Sequence, residues 1–97
     1  MAENEKPRVI HNEAEHRFEL EGQGGAARLE YVLQQDAIVI THTEVPKALE
    51  GHGVAAALAA AGLAFARDRG LRIIPRCPFV AKYIERHPEY QSLVDRA

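Results

Sequence analysis

A chain of 97 residues with 46% apolar and 27% charged residues has the balance of one globular domain, so a single domain over residues 1–97 is expected. That length leaves no room for a separate substrate domain. The net charge of −2 argues against a general nucleic-acid binder and against a purely electrostatic membrane binder, and leaves space only for a local basic patch.

Residues 1–7 are polar and charged, with no apolar signal core, and are expected to be flexible. Val9 to Asn12 fits a short first strand. From Arg17 to Glu21 the pattern alternates, with Phe18 and Leu20 on one face, as in a half-buried strand. Gly22, Gln23, Gly24 and Gly25 predict a turn. Ala27, Leu29, Tyr31 and Leu33 again share a face, and Gln35 and Asp36 suit a tight turn. Ala37 to Thr41 is apolar and β-branched, which predicts a strand covered on both sides. The first half therefore reads as an antiparallel meander ending in a central strand.

Val54 to Arg69 contains no proline and repeats Val54, Leu58, Ala61 and Phe65 at helical spacing. Gly70 is a natural helix stop after Arg67 and Arg69. Leu71 to Ile74 predicts a short strand. Pro78 to Arg86 predicts a second helix with proline at its first position, and a final turn of helix is expected from Glu89 to Val94 after His87 and Pro88. The order of strands, helix, strand and helix gives an α/β domain of the α+β type on a mixed sheet. The longest uncharged run, Gly51 to Ala66, is too short to span a bilayer. Cys77 is the only cysteine, so no intrachain disulfide forms, which fits a reducing compartment. A soluble cytoplasmic protein without a membrane partner is the expectation.

Glu50-Gly51-His52-Gly53-Val54-Ala55-Ala56 opens the long helix. Two glycines there allow close approach to the backbone, and free N–H groups with the helix dipole favour an anion such as a phosphate. A glycine-rich turn that merely enters a helix is the alternative. No Gly-Lys-Ser or Gly-Lys-Thr follows, which removes a Walker loop. Gly51, Gly53 and Ala56 match the spacing of a dinucleotide fingerprint, but no strand runs straight into the loop.

A central strand, this loop, a long helix and another strand resemble the GNAT superfamily of acetyltransferases. Its pattern is Gln or Arg, two residues, Gly, one residue, then Gly or Ala. Here Glu50 departs from the first position, while Gly53 and Ala55 match the others. Thr41-His42-Thr43-Glu44-Val45-Pro46, Cys77-Pro78-Phe79-Val80-Ala81-Lys82-Tyr83 and His87-Pro88-Glu89-Tyr90 sharpen this to the minimal GNAT-like N-acetyltransferases. Those are small proteins of about this length that lack the usual substrate-binding helices. The resemblance implies a GNAT-like mixed sheet with acetyl-CoA between the central strand and the strand ending near Pro75. Backbone groups of Thr43, Glu44 and Val45 would pair with the pantetheine arm. Those of Gly51, His52, Gly53, Val54, Ala55 and Ala56 would hold the pyrophosphate, with backbone amides doing what Glu50 cannot. Pro78, Phe79, Lys82 and Tyr83 are further candidates for cofactor contact. Phe79 equally suits the core, and Lys82 equally suits a solvated helix face.

Cys77 stands at a helix start, where partial positive charge and the neighbouring Arg76 favour the reactive thiolate. In the resembling family a cysteine lies near the acetyl group as a proposed thioester carrier. A small buried hydrophobe is the other reading. Larger relatives place an asparagine where Cys77 stands, and a tyrosine that protonates the CoA thiolate where Ile84 stands. Tyr83 is one residue off, on another helical face.

His42 and Glu44 are candidate general bases, although an ordinary strand residue is the favoured reading of each. His11, His16, His52 and His87 show no metal spacing, so no metal is expected. The leading reading is an acetyl-CoA-dependent N-acetyltransferase acting on an unidentified amine: a polyamine, a small amine or a protein lysine. A macromolecular acceptor would account for the missing substrate helices. The alternative is a non-catalytic acyl-CoA-binding or interaction module.

Overall fold

The first four strands lie side by side in the sheet in chain order. In the computed structural model, which describes residues 8–22 and 25–94, these are β1 (Ile10–Asn12), β2 (Arg17–Gly22), β3 (Gly25–Gln34) and β4 (Ala37–Glu44). They pair antiparallel in chain order. The flexible start expected of residues 1–7 lies outside the described residues, as do Gln23 and Gly24 of the expected turn. Their flanks, Gly22 and Gly25, are paired across the hairpin.

After β4 come a short 3-10 turn (Lys47–Leu49), helix α1 (Val54–Arg69) and strand β5 (Arg72–Pro75), which joins β4 in parallel. Parallel neighbours need a crossover of this length, and α1 supplies it. Helix α2 (Pro78–Glu85) and a 3-10 segment (Pro88–Leu93) complete the described chain. No helix among the described residues is long and apolar enough to cross a membrane.

The alternating residues share one face and one core. Phe18, Leu20, Ala27, Leu29, Tyr31, Ile38, Ile40 and Ile73 are buried in a single cluster with Leu58, Leu63 and Ala66 of α1 and Val80 and Ile84 of α2. Burial of this apolar face, at about 25 cal/mol per Å², is what fixes α1 over the sheet. Ala37 and Val39 are also buried but stand outside that cluster, so the expected two-sided burial of the central strand holds from Ala37 to Ile40.

Several expectations shift. Leu33 is 43% exposed rather than buried, because pairing of β2 with β3 begins at Arg17 and Glu30 and Leu33 projects past it. Strand β5 starts one residue later than expected, since the Leu71 N–H closes the end of α1 on the Ala66 carbonyl at 2.8 Å. The final turn of helix expected from Glu89 to Val94 is a 3-10 segment that runs one residue earlier, over Pro88–Leu93. The central strand runs on to Glu44 and carries a bulge: Tyr31 pairs with Ile40 and Glu30 with His42, which leaves Thr41 unopposed.

Candidate functional site

The site begins where two strands part. Strands β4 and β5 pair from Ala37 and Arg72 to Ile40 and Pro75, and no further. Pro75 has no N–H to continue the ladder. The N–H groups of Arg76 and Cys77 then both turn onto the Ile40 carbonyl, at 3.0 and 3.1 Å. Among the described residues, no strand pairs with Thr41 to Glu44 on that side. The result is a slot bordered by an open strand edge.

The bulge decides what faces the slot. A bulge adds one residue to a strand and reverses the facing of everything after it. Thr43 pairs with Leu29, whose side chain reaches α1 near Gly62, so Thr43 lies on the helix side of the sheet. There its Oγ1 accepts a hydrogen bond from the Cys77 thiol at 3.3 Å. Cys77 is the residue that caps the start of α2, is 5% exposed and belongs to the core cluster. Two residues far apart in sequence thus meet across the slot.

His42 and Glu44 lie on the opposite face, paired with Glu30 and Arg28. Glu44 is held by Arg28 at 2.7 Å, and His42 stands 3.5 Å from the same carboxylate oxygen. The register therefore separates both candidate bases from Thr43 and Cys77.

At the end of the slot lies the glycine loop. Gly51 and Gly53 have φ of +83° and +74°, which only glycine adopts without strain. A Cβ at either position would meet nothing within 4 Å, so the space above the loop is open. Gly53 caps α1 with no side-chain hydrogen bond, and no acidic residue occupies the first turn. The first intrahelical bond made by α1 runs from the Ala57 N–H to the Gly53 carbonyl. The N–H groups of Val54, Ala55 and Ala56 therefore have no partner within the helix, as at any helix start. They border a cavity of about 240 Å³ lined by Val45, Leu49, Glu50, Gly51, Gly53, Val54, Ala55, Ala56 and Phe79. A mostly apolar trough ending on bare N–H groups suits a chain that is apolar along its length and anionic at one end.

A second groove, about 310 Å³, adjoins the first. Ala56, Phe79, Lys82, Tyr83, Arg86 and His87 line it, so Ala56 and Phe79 are common to both. The Tyr83 and His87 rings stack at 3.9 Å, and His87 Nδ1 lies 2.8 Å from the Tyr83 carbonyl. Burial raises the Tyr83 hydroxyl above its ordinary pKa, with Tyr90 and Glu89 adding to the rise, so it remains a hydrogen-bond donor at neutral pH.

Of the residues singled out from the sequence, Val45, Gly51, Gly53, Val54, Ala55, Ala56 and Phe79 come together in the first cavity. Lys82 and Tyr83 line the second, and Thr43 meets Cys77. His52 is exposed beside the loop, and Pro78 is exposed at the first turn of α2. Neither lines the first cavity or the groove beside it. Leu49, Arg86 and His87 line these cavities without having been candidate contacts in the sequence. Arg86 lies one helical turn beyond Lys82 and His87 one turn beyond Tyr83, a spacing from which both were in principle readable. Among the described residues no His, Cys, Asp and Glu side chains cluster as a metal site. His11 instead belongs to an aromatic group at the core edge. It stacks on Phe18 at 4.0 Å and lies 2.6 Å from the Tyr31 hydroxyl.

Comparison with known proteins agrees with this geometry. Residues 17–93 match the family described as GCN5-related N-acetyl-transferase. Protein NATD1 of Homo sapiens is 36% identical over 89 residues, covering 89% of this chain and 79% of that protein. Protein NATD1 of Xenopus tropicalis is 32% identical over 90 residues, covering 89% and 82%. The NMR solution structure of a GCN5-like candidate N-acetyltransferase from Staphylococcus aureus superposes with a TM-score of 0.71 at 28% identity, over 91% of this chain and 87% of that one. The five-stranded mixed sheet, the parted strands and these matches together establish that the chain belongs to the GCN5-related N-acetyltransferase family.

Proposed function

We propose that this chain is an acetyl-CoA-dependent N-acetyltransferase that moves an acetyl group onto an amine, with Cys77 as its nucleophile. The observation that carries the reading is the parting of β4 and β5 beside the uncapped start of α1. The pyrophosphate sits on the N–H groups of the Gly51 to Ala56 loop, where the helix dipole favours an anion. The pantetheine arm lies in the slot and pairs with the free backbone edge of Thr43, Glu44 and Val45.

In the covalent route the Cys77 thiol gives up its proton and its sulfur bonds to the acetyl carbonyl carbon. The bond from that carbon to the CoA sulfur breaks, and CoA departs as the protonated thiol. The amine then attacks acetyl-Cys77, loses a proton and regenerates the thiol. Cys77 opens α2, and its sulfur lies 3.3 Å from Thr43 Oγ1 across the slot. A second reading rests on its burial and its membership of the core cluster: the amine attacks acetyl-CoA directly, and Cys77 shapes the pocket.

Intact-mass spectrometry with acetyl-CoA, under native and then denaturing conditions, separates the readings. The expected result is a native CoA complex and an acetyl adduct that survives denaturation, is released by hydroxylamine and is absent from Cys77→Ala. A Cys77→Ser variant with full transferase activity would exclude the covalent route and leave direct transfer. Absence of any complex at millimolar ligand, where binding is only about −4 kcal/mol, would overturn the CoA reading itself.

A further inference from the structure

The groove along α2 combines two cations with three rings. The chain carries a net charge of −2, yet this wall presents Lys82 and Arg86 and no carboxylate. The two cations are both exposed and stand one helical turn apart, and like charges at that spacing repel. Among the described residues neither makes an ion pair. Next to them Tyr83 and His87 form a stacked pair with an interplanar angle of 12°, and the Phe79 ring lies 6.4 Å from that of Tyr83. Phe79 is 41% exposed, so an apolar ring face is open to a ligand. Cations beside an aromatic platform match a phosphorylated nucleoside, whose base stacks while its phosphate takes charge-assisted hydrogen bonds.

The groove's position says which nucleoside. It continues the cavity of the glycine loop through Ala56 and Phe79. A ligand whose pyrophosphate rests on the first turn of α1 and whose apolar arm enters the slot has its remaining end directed here. In coenzyme A that end is adenosine bearing a 3′-phosphate. We propose that Lys82 and Arg86 hold the 3′-phosphate while the Phe79, Tyr83 and His87 surface receives the adenine, which makes the chain selective for the 3′-phosphorylated cofactor over its dephospho form. This rests on the CoA reading above and extends it to recognition of the donor's nucleotide end. Glu89 acts electrostatically on Tyr83 and Glu50 borders the first cavity, so the two cations are the groups that make an anion welcome between them.

Titration calorimetry with CoA, dephospho-CoA and adenosine 3′,5′-bisphosphate tests it on the full chain. The expected result is a preference for CoA over dephospho-CoA of roughly 10- to 100-fold, the range for hydrogen bonds to charged groups. Adenosine 3′,5′-bisphosphate should bind without any pantetheine. In the Lys82→Ala, Arg86→Ala double variant the preference should collapse toward unity, because CoA loses more affinity than dephospho-CoA, with circular dichroism verifying the fold. Equal affinities in the parent chain, or a preference that survives in the double variant, would overturn this inference and leave the CoA reading standing. Failure of both CoA forms to bind would overturn the two together.

Discussion

His11 shows how one half-buried side chain ties stability to pH. Burial depresses its pKa; Arg69 and His16 push the same way, while Glu13 opposes them. Its ring is packed against Phe18 and Phe65 and lies 2.6 Å from the Tyr31 hydroxyl, so protonation places a charge inside an aromatic group. The folded-state value lies below the unfolded value of about 6.5. Between those values the unfolded chain binds more protons, so stability is complete above the unfolded value and declines as pH falls through the interval. Urea unfolding from about pH 7.5 to 5.5 should show this decline, and a His11→Gln variant should have a shallower slope over the same range.

At the scale of elements, α1 does two jobs that call for different residues. Its first turn lacks a side-chain cap and so leaves N–H groups for a ligand. Its middle is alanine-rich and lies over β2 and β3, with Leu58 and Leu63 fully buried. Gly62 sits at that contact, where an added methyl would stand 3.6 Å from Leu29 and 3.7 Å from Phe18, ordinary packing distances. Close approach therefore does not require glycine there. Since glycine inside a helix costs about 0.8–1.0 kcal/mol relative to alanine, Gly62→Ala should stabilise the fold by roughly 0.5–1 kcal/mol, read as a raised denaturation midpoint at an unchanged m-value. Failure to stabilise would mean that the sheet-to-helix spacing is tighter than this geometry. The bulge at Thr41 is the other decisive element. It turns Thr43 toward Cys77 and leaves His42 and Glu44 on the far face.

For the whole molecule, the charge distribution matters more than its sum. A chain of net charge −2 repels an anionic cofactor at long range, and Glu50 adds a carboxylate at the border of the first cavity. In the proposed CoA complex the backbone amides of the loop and the Lys82 and Arg86 pair would oppose that field. Glu50→Gln removes a charge without changing side-chain shape. It should tighten CoA binding a few-fold at low salt, and the gain should shrink as ionic strength rises and the Debye length falls toward about 8 Å. Titrations at two salt concentrations measure it. Unchanged affinity of the Glu50→Gln variant at low salt would place the pyrophosphate away from this loop.

The order of elements was legible because local periodicity encodes it. Phe18 and Leu20, Ala27 to Tyr31, and Val54 to Phe65 each announce a strand or helix face through spacing alone. The glycine loop was legible too, since Gly51 and Gly53 are punctuation that a helix start explains. What the sequence could not decide is register and parting. The unopposed Thr41 depends on how β3 and β4 align, and nothing local in Ile40-Thr41-His42 marks it. Leu33 shares the face of Leu29 and Tyr31 yet is exposed, because the pairing of β2 with β3 reaches only to Arg17 and Glu30. The meeting of Thr43 with Cys77, and the joining of Phe79, Tyr83 and His87 to the glycine loop, bring together residues from separate elements. Spacing along the chain reports only which face of its own element a residue occupies; which faces meet is fixed by burial of the shared core, and that is a property of the folded molecule.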